Sequence, residues 1–354
     1  MERTGSLLGC RIVGCGKALP SRVVTNDELS SLVETDDEWI FSRTGIKTRH
    51  VAVEESTTDL AAVAGERALA HAGVKAEDVD LLVCMTITPD AVVPSEACLV
   101  RARLGLAHAV AFDLNAACTG CIYGIEVASS MLASSAADMA RAARHGARPS
   151  RNRMRRALVI GVDVLSRVVD WTDRATCVLF GDGAGAVVLE WDDAAPGILA
   201  SVLENTDDDD ALLSCGNLHV ASRSPFVEGE GALERPVVDP YIRMQGQHVF
   251  KFASASMAAA IEEVVARAGA SLDDVSLIVA HQANERIIRY AAKKIGKSLD
   301  LFQLSIAQVG NTSASSVLMA LCDAWRAGRV KSGEKVVLVG FGGGLTAGAV
   351  MFEV

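Results

Sequence analysis

Residues 113–130 read DLNAACTGCIYGIEVASS, and this stretch decides the fold of the chain. The apolar run just before it predicts a strand that ends near Ala116, turns at Cys118 and leads into a helix of small residues. A cysteine at such a turn meets the positive end of the helix dipole, which favours the thiolate over the thiol. The small neighbours Ala117 and Gly120 leave room for a substrate beside the sulfur. Cys118 is therefore a candidate nucleophile, although a buried cysteine that only fills space has the same local sequence.

The chain contains one helix–strand pattern twice. Asp78-Val79, just before a buried strand, matches Asp274-Val275 at an offset of 196 residues (274 − 78), and the helices that precede these strands match as well. Repetition at about half the chain length indicates two copies of one βα unit rather than a solenoid. We therefore predict an α/β fold with two pseudo-symmetric halves, residues 1–195 and 196–354, and mostly parallel sheets covered on both faces.

The bulk composition limits the class of protein. The chain has 354 residues, 50% of them hydrophobic, and a net charge of −10 at pH 7. Its size allows a large core, and its negative charge argues against nucleic acid as the main partner. Nine cysteines without extracellular spacing indicate reduced thiols and a cytoplasmic protein. The CxxC spacing of Cys118 and Cys121 lacks the second pair of a zinc site, so no metal is predicted.

No membrane segment is predicted either. The N-terminal residues lack the long apolar region of a secretory signal. Residues 336–352 carry no charge, but the glycines at 342–344 divide them into two short buried strands joined by a turn. We therefore expect a soluble protein without a membrane partner.

Polar residues in the second half lie where strands and turns end. His281 follows the buried run 277–280, and Asn311 lies at a turn that we match with the Cys118 turn, at an offset of 193 residues (311 − 118). In parallel α/β sheets, ligands gather at the carboxyl ends of the strands. The pseudo-two-fold axis of the repeat would bring the two turns face to face. We therefore predict that Cys118, His281 and Asn311 converge on one site, although each residue alone fits a structural role.

Two further features have two interpretations each. Trp39 and Arg43 lie four apart on one helical face, either as a packed indole beside a surface arginine or as a stacking surface with a phosphate-binding cation. The chain runs 43 positions from Cys118 to Gly161 in the first half but only 29 from Asn311 to Gly340 in the second, a surplus of 14 residues (43 − 29). We place this surplus within 137–156, where seven arginines crowd together. That insertion is either a solvated surface segment or a basic surface for an acidic partner.

Six motifs in this order resemble those of the β-ketoacyl-acyl-carrier-protein synthase III family, a branch of the thiolase-fold condensing enzymes. The resemblance covers nearly the whole chain except the arginine-rich insertion and about 205–236. The motifs are Asp36-Asp-Glu-Trp-Ile40 with Arg43-Thr-Gly45, Ala116-Ala-Cys-Thr-Gly120, Phe180-Gly-Asp-Gly-Ala-Gly185, His281-Gln-Ala-Asn284, Gly310-Asn-Thr-Ser-Ala314 and Phe341-Gly-Gly-Gly344.

The resemblance implies a five-layered αβαβα thiolase fold, a homodimer, and decarboxylative Claisen condensation of an acyl-CoA primer with malonyl-acyl-carrier protein to start fatty acid synthesis. It implies no cofactor beyond the coenzyme A thioester substrate. By motif, Cys118 accepts the acyl group, His281 and Asn311 act on the extender, and the Cys118 and Gly343 backbone N–H groups hold the first oxyanion. Coenzyme A and its pantetheine arm would contact Trp39, Arg43, Arg174, Gly246, Phe250 and Asn284. Lys251 and Arg286 would dock the acidic carrier protein.

The chain departs from the family pattern at the acyl pocket, which the resemblance assigns to Val93, Cys121, Leu165 and Phe180. Short-primer members commonly have aromatic residues at the first two of these positions, so we expect primers longer than acetyl. Two other functions compete with condensation: an acyltransferase or secondary-metabolite condensing enzyme with another acceptor, and a non-catalytic acyl-binding scaffold. The presence of Cys118, His281 and Asn311 together argues against the scaffold.

Overall fold

A computed structural model describes residues 9–150, 152–208, 210–216 and 239–354. The strands are β1 (Cys10–Ala18), β2 (Arg22–Thr25), β3 (Thr48–Val51), β4 (Leu81–Met85), β5 (Val110–Leu114), β6 (Arg156–Asp163), β7 (Gly183–Trp191), β8 (Ile198–Asn205), β9 (Leu213–Ser214), β10 (Arg243–Met244), β11 (Val275–Ala280), β12 (Phe302–Gln303), β13 (Lys335–Gly342) and β14 (Thr346–Glu353).

The helices are α1 (Asn26–Leu29), α2 (Asp37–Thr44), α3 (Thr57–Ala72), α4 (Glu96–Leu104), α5 (Gly120–His145), α6 (Arg174–Cys177), α7 (Gly246–Arg267), α8 (Glu285–Lys294), α9 (Ile306–Val309) and α10 (Ser316–Arg326). Short 3₁₀ turns occur at Ala76–Asp78, Ala117–Thr119, Leu165–Arg167, Leu299–Leu301 and Ser313–Ser315. The N-caps of the first two helices are Thr25 and Asp36, whose side chains accept hydrogen bonds from the Glu28 and Trp39 N–H groups.

Two five-stranded sheets carry the same topology within the described residues. The first has the order β1-β7-β6-β4-β5, and the second, read from its other edge, has the order β8-β14-β13-β11-β12. In each sheet two neighbouring pairs are parallel and two are antiparallel, so the expectation of mostly parallel sheets is wrong. Strand β14 follows β13 through the short glycine turn at 343–345, which makes this pair antiparallel. Strand β7 follows β6 through a longer connection that contains the 3₁₀ turn Leu165–Arg167 and helix α6. The shared strand order confirms that one βα plan is used twice.

Five layers follow from the packing of the helices on these sheets. Helices α5 and α10 lie between the sheets and bury their apolar side chains in a central core. Helices α3 and α4 cover the outer face of the first sheet, and α7 and α8 cover the outer face of the second. Because central strands such as β4 and β13 are covered on both faces, they are continuous apolar runs. The predicted αβαβα arrangement is confirmed.

The chain passes from the first half to the second between β7, which ends at Trp191, and β8, which begins at Ile198. The uncharged segment at the C-terminus forms the antiparallel pair β13 and β14 across the glycine turn, as predicted. No helix in the described ranges has the length and apolarity needed to cross a lipid bilayer.

The arginine-rich segment is mainly an extension of a helix. Helix α5 has 26 residues, whereas its counterpart α10 has 11. The added turns of α5 carry Arg141 and Arg144 on the surface, and exposed coil follows as far as Asn152, apart from Arg151, which lies outside the described residues. The expected surface insertion is therefore present, with ordered helical structure in its first part.

The match between the Cys118 turn and the Asn311 turn is wrong by three residues. The two 3₁₀ turns, Ala117–Thr119 and Ser313–Ser315, differ by 196 residues (313 − 117), which is also the offset of the preceding strands. Asn311 therefore corresponds to Asn115, and Cys118 corresponds to Ala314. Each asparagine Oδ1 accepts a hydrogen bond from the N–H two residues later, at 3.2 Å in the first turn and 2.9 Å in the second. The residue that donates has a positive φ in both turns, 45° and 51°.

Candidate active site

Side chains from three elements line one small cavity of about 80 Å³. Cys118 comes from the 3₁₀ turn before α5, His281 follows β11, and Asn311 precedes the equivalent turn in the second half. The structure therefore brings together the three residues that the sequence singled out, at the carboxyl ends of strands from both halves. The local turns place Cys118 and Asn311, because each asparagine-closed turn leads the chain into a central helix, from β5 into α5 and from α9 into α10.

Cys118 is 8% exposed, and it lies against the second half of the molecule. A Cβ on Gly342 would lie 2.9 Å from the Cys118 backbone nitrogen, so only glycine allows β13 to come this close. Burial raises the pKa of the Cys118 thiol to about 11, although the neighbouring Ser313 side chain acts in the opposite direction. Desolvation therefore opposes the helix dipole, which favours the thiolate of Cys118.

His281 is a neutral hydrogen-bond donor. Burial lowers the pKa of its imidazole to about 3. Its Nδ1 lies 2.6 Å from Ser316 Oγ, and the same oxygen accepts the Gln282 N–H at 3.4 Å. Since Ser316 thus has its own proton available for Nδ1, the imidazole proton is assigned to Nε2. The ring is further held by an edge contact with Phe341, with the ring centroids 5.0 Å apart.

Asn311 supplies a second neutral donor. Its backbone nitrogen donates to Leu179 O at 2.8 Å, and its Oδ1 accepts the Ser313 N–H at 2.9 Å. Because Oδ1 is engaged in the turn, Nδ2 is the amide group left to donate to a ligand. The cavity thus combines a thiol with two uncharged donors. Among the residues that the structure describes, no three His, Cys, Asp or Glu side chains are grouped as metal ligands.

Cys118 also lines a second, larger cavity of about 570 Å³. Leu165, Phe180 and Gly343 line it as well, whereas Gly246, Phe250 and Asn284 line the small cavity. The other two acyl-pocket candidates, Val93 and Cys121, line neither of these two cavities. Val93 is 85% exposed, and Cys121 is fully buried in the central core.

Trp39, Arg43 and Arg174 come together at the surface near the small cavity. The guanidinium carbons of the two arginines lie 4.6 and 4.8 Å from the Trp39 ring centroid. Asn284 connects this group to the cavity, because its Nδ2 donates to Arg43 O at 3.1 Å. The exposed Lys251 and Arg286 lie on α7 and α8, whose N-terminal residues line the same cavity.

Sequence reasoning missed four residues at this site. Asp163 ends β6 and Ser313 lies in the second turn, while Ser316 and Asn115 support His281 and Cys118. Asp163 could have been found, since it follows a predicted strand at its carboxyl end. Asn115 could have been found from the offset of 196, which the strands already indicated. Nothing local to Ser313 or Ser316 in the sequence distinguishes them from structural serines.

Known proteins of one kind match this chain along almost its full length. Two models of 3-oxoacyl-[acyl-carrier-protein] synthase III match it, the C-terminal model at residues 265–354 and the other at residues 149–207. The beta-ketoacyl-[acyl-carrier-protein] synthase III of Clostridium acetobutylicum is 40% identical over 342 residues, which cover 97% of this chain and 98% of that protein. The enzyme of the same name from Rhodospirillum centenum is 44% identical over 345 residues, covering 96% and 97%.

Solved structures agree with these matches. The crystal structure of 3-oxoacyl-[acyl-carrier-protein] synthase III from Aquifex aeolicus has a TM-score of 0.83 and 39% identity, and covers 98% of this chain and 100% of its own. The Pseudomonas aeruginosa enzyme has a TM-score of 0.84 and 36% identity, with 98% of each chain covered. With its five layers and its cysteine at the start of the central helix, this protein is a condensing acyltransferase of the thiolase fold. Within that class, the chain belongs to the 3-oxoacyl-[acyl-carrier-protein] synthase III family.

Proposed function

We propose that the protein condenses an acyl-CoA primer with malonyl-acyl-carrier protein through an acyl-Cys118 intermediate. The product would be a 3-oxoacyl-carrier protein, and the reaction would start fatty acid synthesis. The observation that carries this proposal is the position of Cys118 at the junction of two cavities, beside two neutral donors. One cavity can hold an acyl chain while the other admits the thioester that delivers or accepts it.

In the first step, the Cys118 sulfur attacks the thioester carbonyl of the primer. The carbonyl oxygen becomes an oxyanion, for which the backbone N–H groups of Cys118 and Gly343 are the candidate donors. Coenzyme A then leaves, and the acyl group stays on Cys118 as a thioester of similar energy. The close approach of Gly342 to the Cys118 nitrogen supports this assignment, because it brings the glycine turn against the nucleophile.

In the second step, malonyl thioester loses CO₂ and leaves an enolate. His281 Nε2 and Asn311 Nδ2 would donate hydrogen bonds to the enolate oxygen. Because the pKa of His281 is lowered to about 3, its imidazole stays neutral and stabilises the enolate without protonating its carbon. The carbanion carbon then attacks acyl-Cys118, and the Cys118 sulfur is released as the new carbon–carbon bond forms.

The surface near the small cavity supports coenzyme A and a carrier protein as partners. Trp39 and the two arginines next to it suit the adenine and phosphate groups of coenzyme A. Guanidinium groups bind phosphate and stack on aromatic rings. Gly246, Phe250 and Asn284 would line the path of the pantetheine arm. Lys251 and Arg286 are exposed cations that suit an acidic carrier protein despite the negative total charge.

The larger cavity supports a primer longer than acetyl. Its volume of about 570 Å³ lies within the usual range for small-molecule sites, and Leu165 and Phe180 supply apolar walls. Val93 would act only across a homodimer, in keeping with its exposure of 85% and that of the adjacent Val92, 71%. Cys121 would act indirectly, by leaving the core behind Cys118 free of an aromatic ring. All nine cysteines are free thiols, which supports a cytoplasmic location.

Removal of the two donors tests the division of labour. We expect His281→Ala and Asn311→Ala to form the acyl-enzyme at rates near that of the wild type, while condensation falls at least ~10²-fold, because each donor serves the enolate. Acylation is measured by intact mass, and condensation by release of CO₂ from malonyl-carrier protein. An equal loss in both steps would show that these side chains do not divide as proposed. An acyl-enzyme that releases no CO₂ from malonyl thioester would favour an acyltransferase with another acceptor.

A further inference from the structure

The site contains a buried thiol that must lose its proton before or during attack. The pKa of Cys118 is raised to about 11 by burial, so a resting thiolate is scarce at neutral pH. His281 is engaged through Nδ1 with Ser316, and its pKa of about 3 makes it a weak base. The proton of Cys118 therefore needs another acceptor.

Ser313 lines the same cavity as Cys118 and has a buried hydroxyl. Its side chain is 1% exposed and lines the larger cavity together with Cys118. Its Oγ makes no hydrogen bond of normal geometry within the described part of the chain, yet it is close enough to lower the pKa of both Cys118 and Asp163 as a weak hydrogen-bond donor would. A positive φ of 51°, unusual for serine, holds it in this orientation. A buried hydroxyl without a partner is costly, which is typical of a group retained for function.

Asp163 is fully buried at the end of β6, beside the turn that carries Ser313. Its Oδ1 accepts hydrogen bonds from Ile87 N, Thr86 Oγ1 and Thr88 Oγ1 at 2.8, 3.1 and 3.2 Å. Its Oδ2 faces the turn that carries Ser313, where it accepts the Ala314 N–H at 3.4 Å.

The strand β6 and this turn are in tight contact. A Cβ on Gly161 would lie 2.4 Å from Ala314 O, so glycine at this position lets the strand end pack directly on the turn. This contact fixes the carboxyl group of Asp163 relative to Ser313. Oδ1 is fully engaged by its three donors, so Oδ2 is the oxygen that can take a further proton.

We propose that Ser313 and Asp163 form a proton relay for Cys118. This inference rests on the proposed acyl-Cys118 intermediate. As the Cys118 sulfur bonds to the thioester carbon, its S–H proton passes to Ser313 Oγ, and the Ser313 hydroxyl proton passes to Asp163 Oδ2. When the carbon–sulfur bond to coenzyme A breaks, the same relay in reverse returns one proton to the departing sulfur. In this relay Ser313 exchanges protons directly with the reacting sulfur, and Asp163 acts on the sulfur only through Ser313.

The acidity of Asp163 suits this role. Burial raises its pKa from 3.8 to about 6, although its hydrogen bonds act in the opposite direction. The titratable groups whose charge is coupled to it are the thiols of Cys84, Cys118 and Cys215. A carboxylate of this pKa is ionised at neutral pH and can hold a proton transiently, as a general base should. Transfer from the resting thiol is unfavourable, so it must accompany attack, when the sulfur becomes far more acidic.

The test measures single-turnover acylation of the full chain by acyl-CoA, without extender, from pH 5 to 9. The wild-type rate should rise to a plateau with an apparent pKa near 6. Ser313→Ala and Asp163→Asn should be about 10²-fold slower at pH 7.5 and saturating acyl-CoA, with little change in KM, and should lose the step near pH 6. The rate of Cys118 alkylation by iodoacetamide is measured over the same pH range. It should also lose the step near pH 6 in both variants, and this measurement does not depend on acyl transfer.

Ser315→Ala is the matched control. Ser315 lies in the same turn and is buried, but its hydroxyl donates to Thr312 O at 2.8 Å, so its removal should leave the pH profile unchanged. Equal effects of Ser313→Ala and Ser315→Ala, or a retained step near pH 6 in the Ser313 variant, would overturn the relay. If either variant fails to fold, a wild-type profile that is flat between pH 5 and 8 overturns it as well. If no acyl-CoA labels the wild type, the proposed function fails, and the alkylation profiles still decide the relay.

Discussion

At the residue scale, burial decides the protonation of every reactive group in the site. The pKa of the Cys118 thiol rises to about 11, that of the Asp163 carboxyl rises to about 6, and that of the His281 imidazole falls to about 3. Desolvation disfavours the charged form in each case. At neutral pH the site therefore holds a thiol, a carboxylate and a neutral imidazole. This set of forms suits a condensation in which His281 donates a hydrogen bond but no proton.

The lowered pKa of His281 predicts a contribution to the pH dependence of stability. The folded protein binds fewer protons at His281 than the unfolded chain between about pH 3 and 6.5, so this residue makes the free energy of unfolding fall as the pH falls below 6.5. Relative to His281→Ala, the wild type should lose about 2.5 kcal/mol between pH 7 and 4.5. Urea denaturation at several pH values measures the difference.

The comparison with the variant is necessary because Asp163 acts in the opposite direction. Its raised pKa means that the folded state binds more protons there between about pH 3.8 and 6, which offsets the slope from His281 in the wild type. The difference between the two proteins cancels the Asp163 contribution. A constant difference from pH 7 to 4.5 would show that His281 titrates normally in the folded protein.

At the element scale, one asparagine-closed turn is used twice, for two purposes. In the first half the turn leads from Asn115 to Cys118, and in the second half it leads from Asn311 to Ala314. The hydrogen bond from the asparagine Oδ1 closes both turns. Asn311 additionally lines the small cavity with its amide group, whereas Asn115 lines the larger one. The first asparagine thus supports Cys118, the proposed nucleophile, and the second also places its amide group in the cavity, where we propose that it donates to the enolate.

Asn115→Ala should therefore destabilise the turn beneath Cys118. Loss of the hydrogen bond to Ala117 N should reduce the free energy of unfolding by about 1 kcal/mol. Chemical denaturation measures the change. Asn115→Asp is the matched control, because it keeps an oxygen acceptor at the same position and should retain most of the stability. If the two variants are equally destabilised, the Oδ1 contact does not hold the turn.

The limits of sequence reasoning are clearest at this scale. Strands β4, β6, β11 and β13 could be predicted from the sequence, because strands that are covered on both faces are continuous hydrophobic runs. The predicted match between the turns was wrong because it paired Cys118 with Asn311, the most distinctive polar residue of each turn. The structure instead matches the two asparagines, Asn115 and Asn311, and the residues with positive φ that follow them. The burial that raises the pKa of the Cys118 thiol could not be predicted, because it depends on contacts with the other half, which a local motif does not contain.

At the scale of the whole molecule, the site exists only because the two halves have diverged at equivalent positions. Cys118 in the first half corresponds to Ala314, and His281 in the second corresponds to Met85, both at the offset of 196 residues. Asp163 ends β6 where Gly342 ends the equivalent strand β13. The glycine lets β13 approach the Cys118 nitrogen, whereas the aspartate faces Ser313. Each half supplies groups that the other lacks, and the central core holds them in register.

Intact-mass analysis of the acyl-enzyme tests the central claim most directly. The wild type and Cys118→Ala are incubated with acetyl-, butyryl-, hexanoyl- and octanoyl-CoA, with and without malonyl-carrier protein. We expect one acyl mass on the wild type, strongest with a primer longer than acetyl, and its loss when malonyl-carrier protein is added. We expect no adduct on Cys118→Ala, because the acyl group forms a thioester with that sulfur. An undiminished adduct on Cys118→Ala would contradict the account.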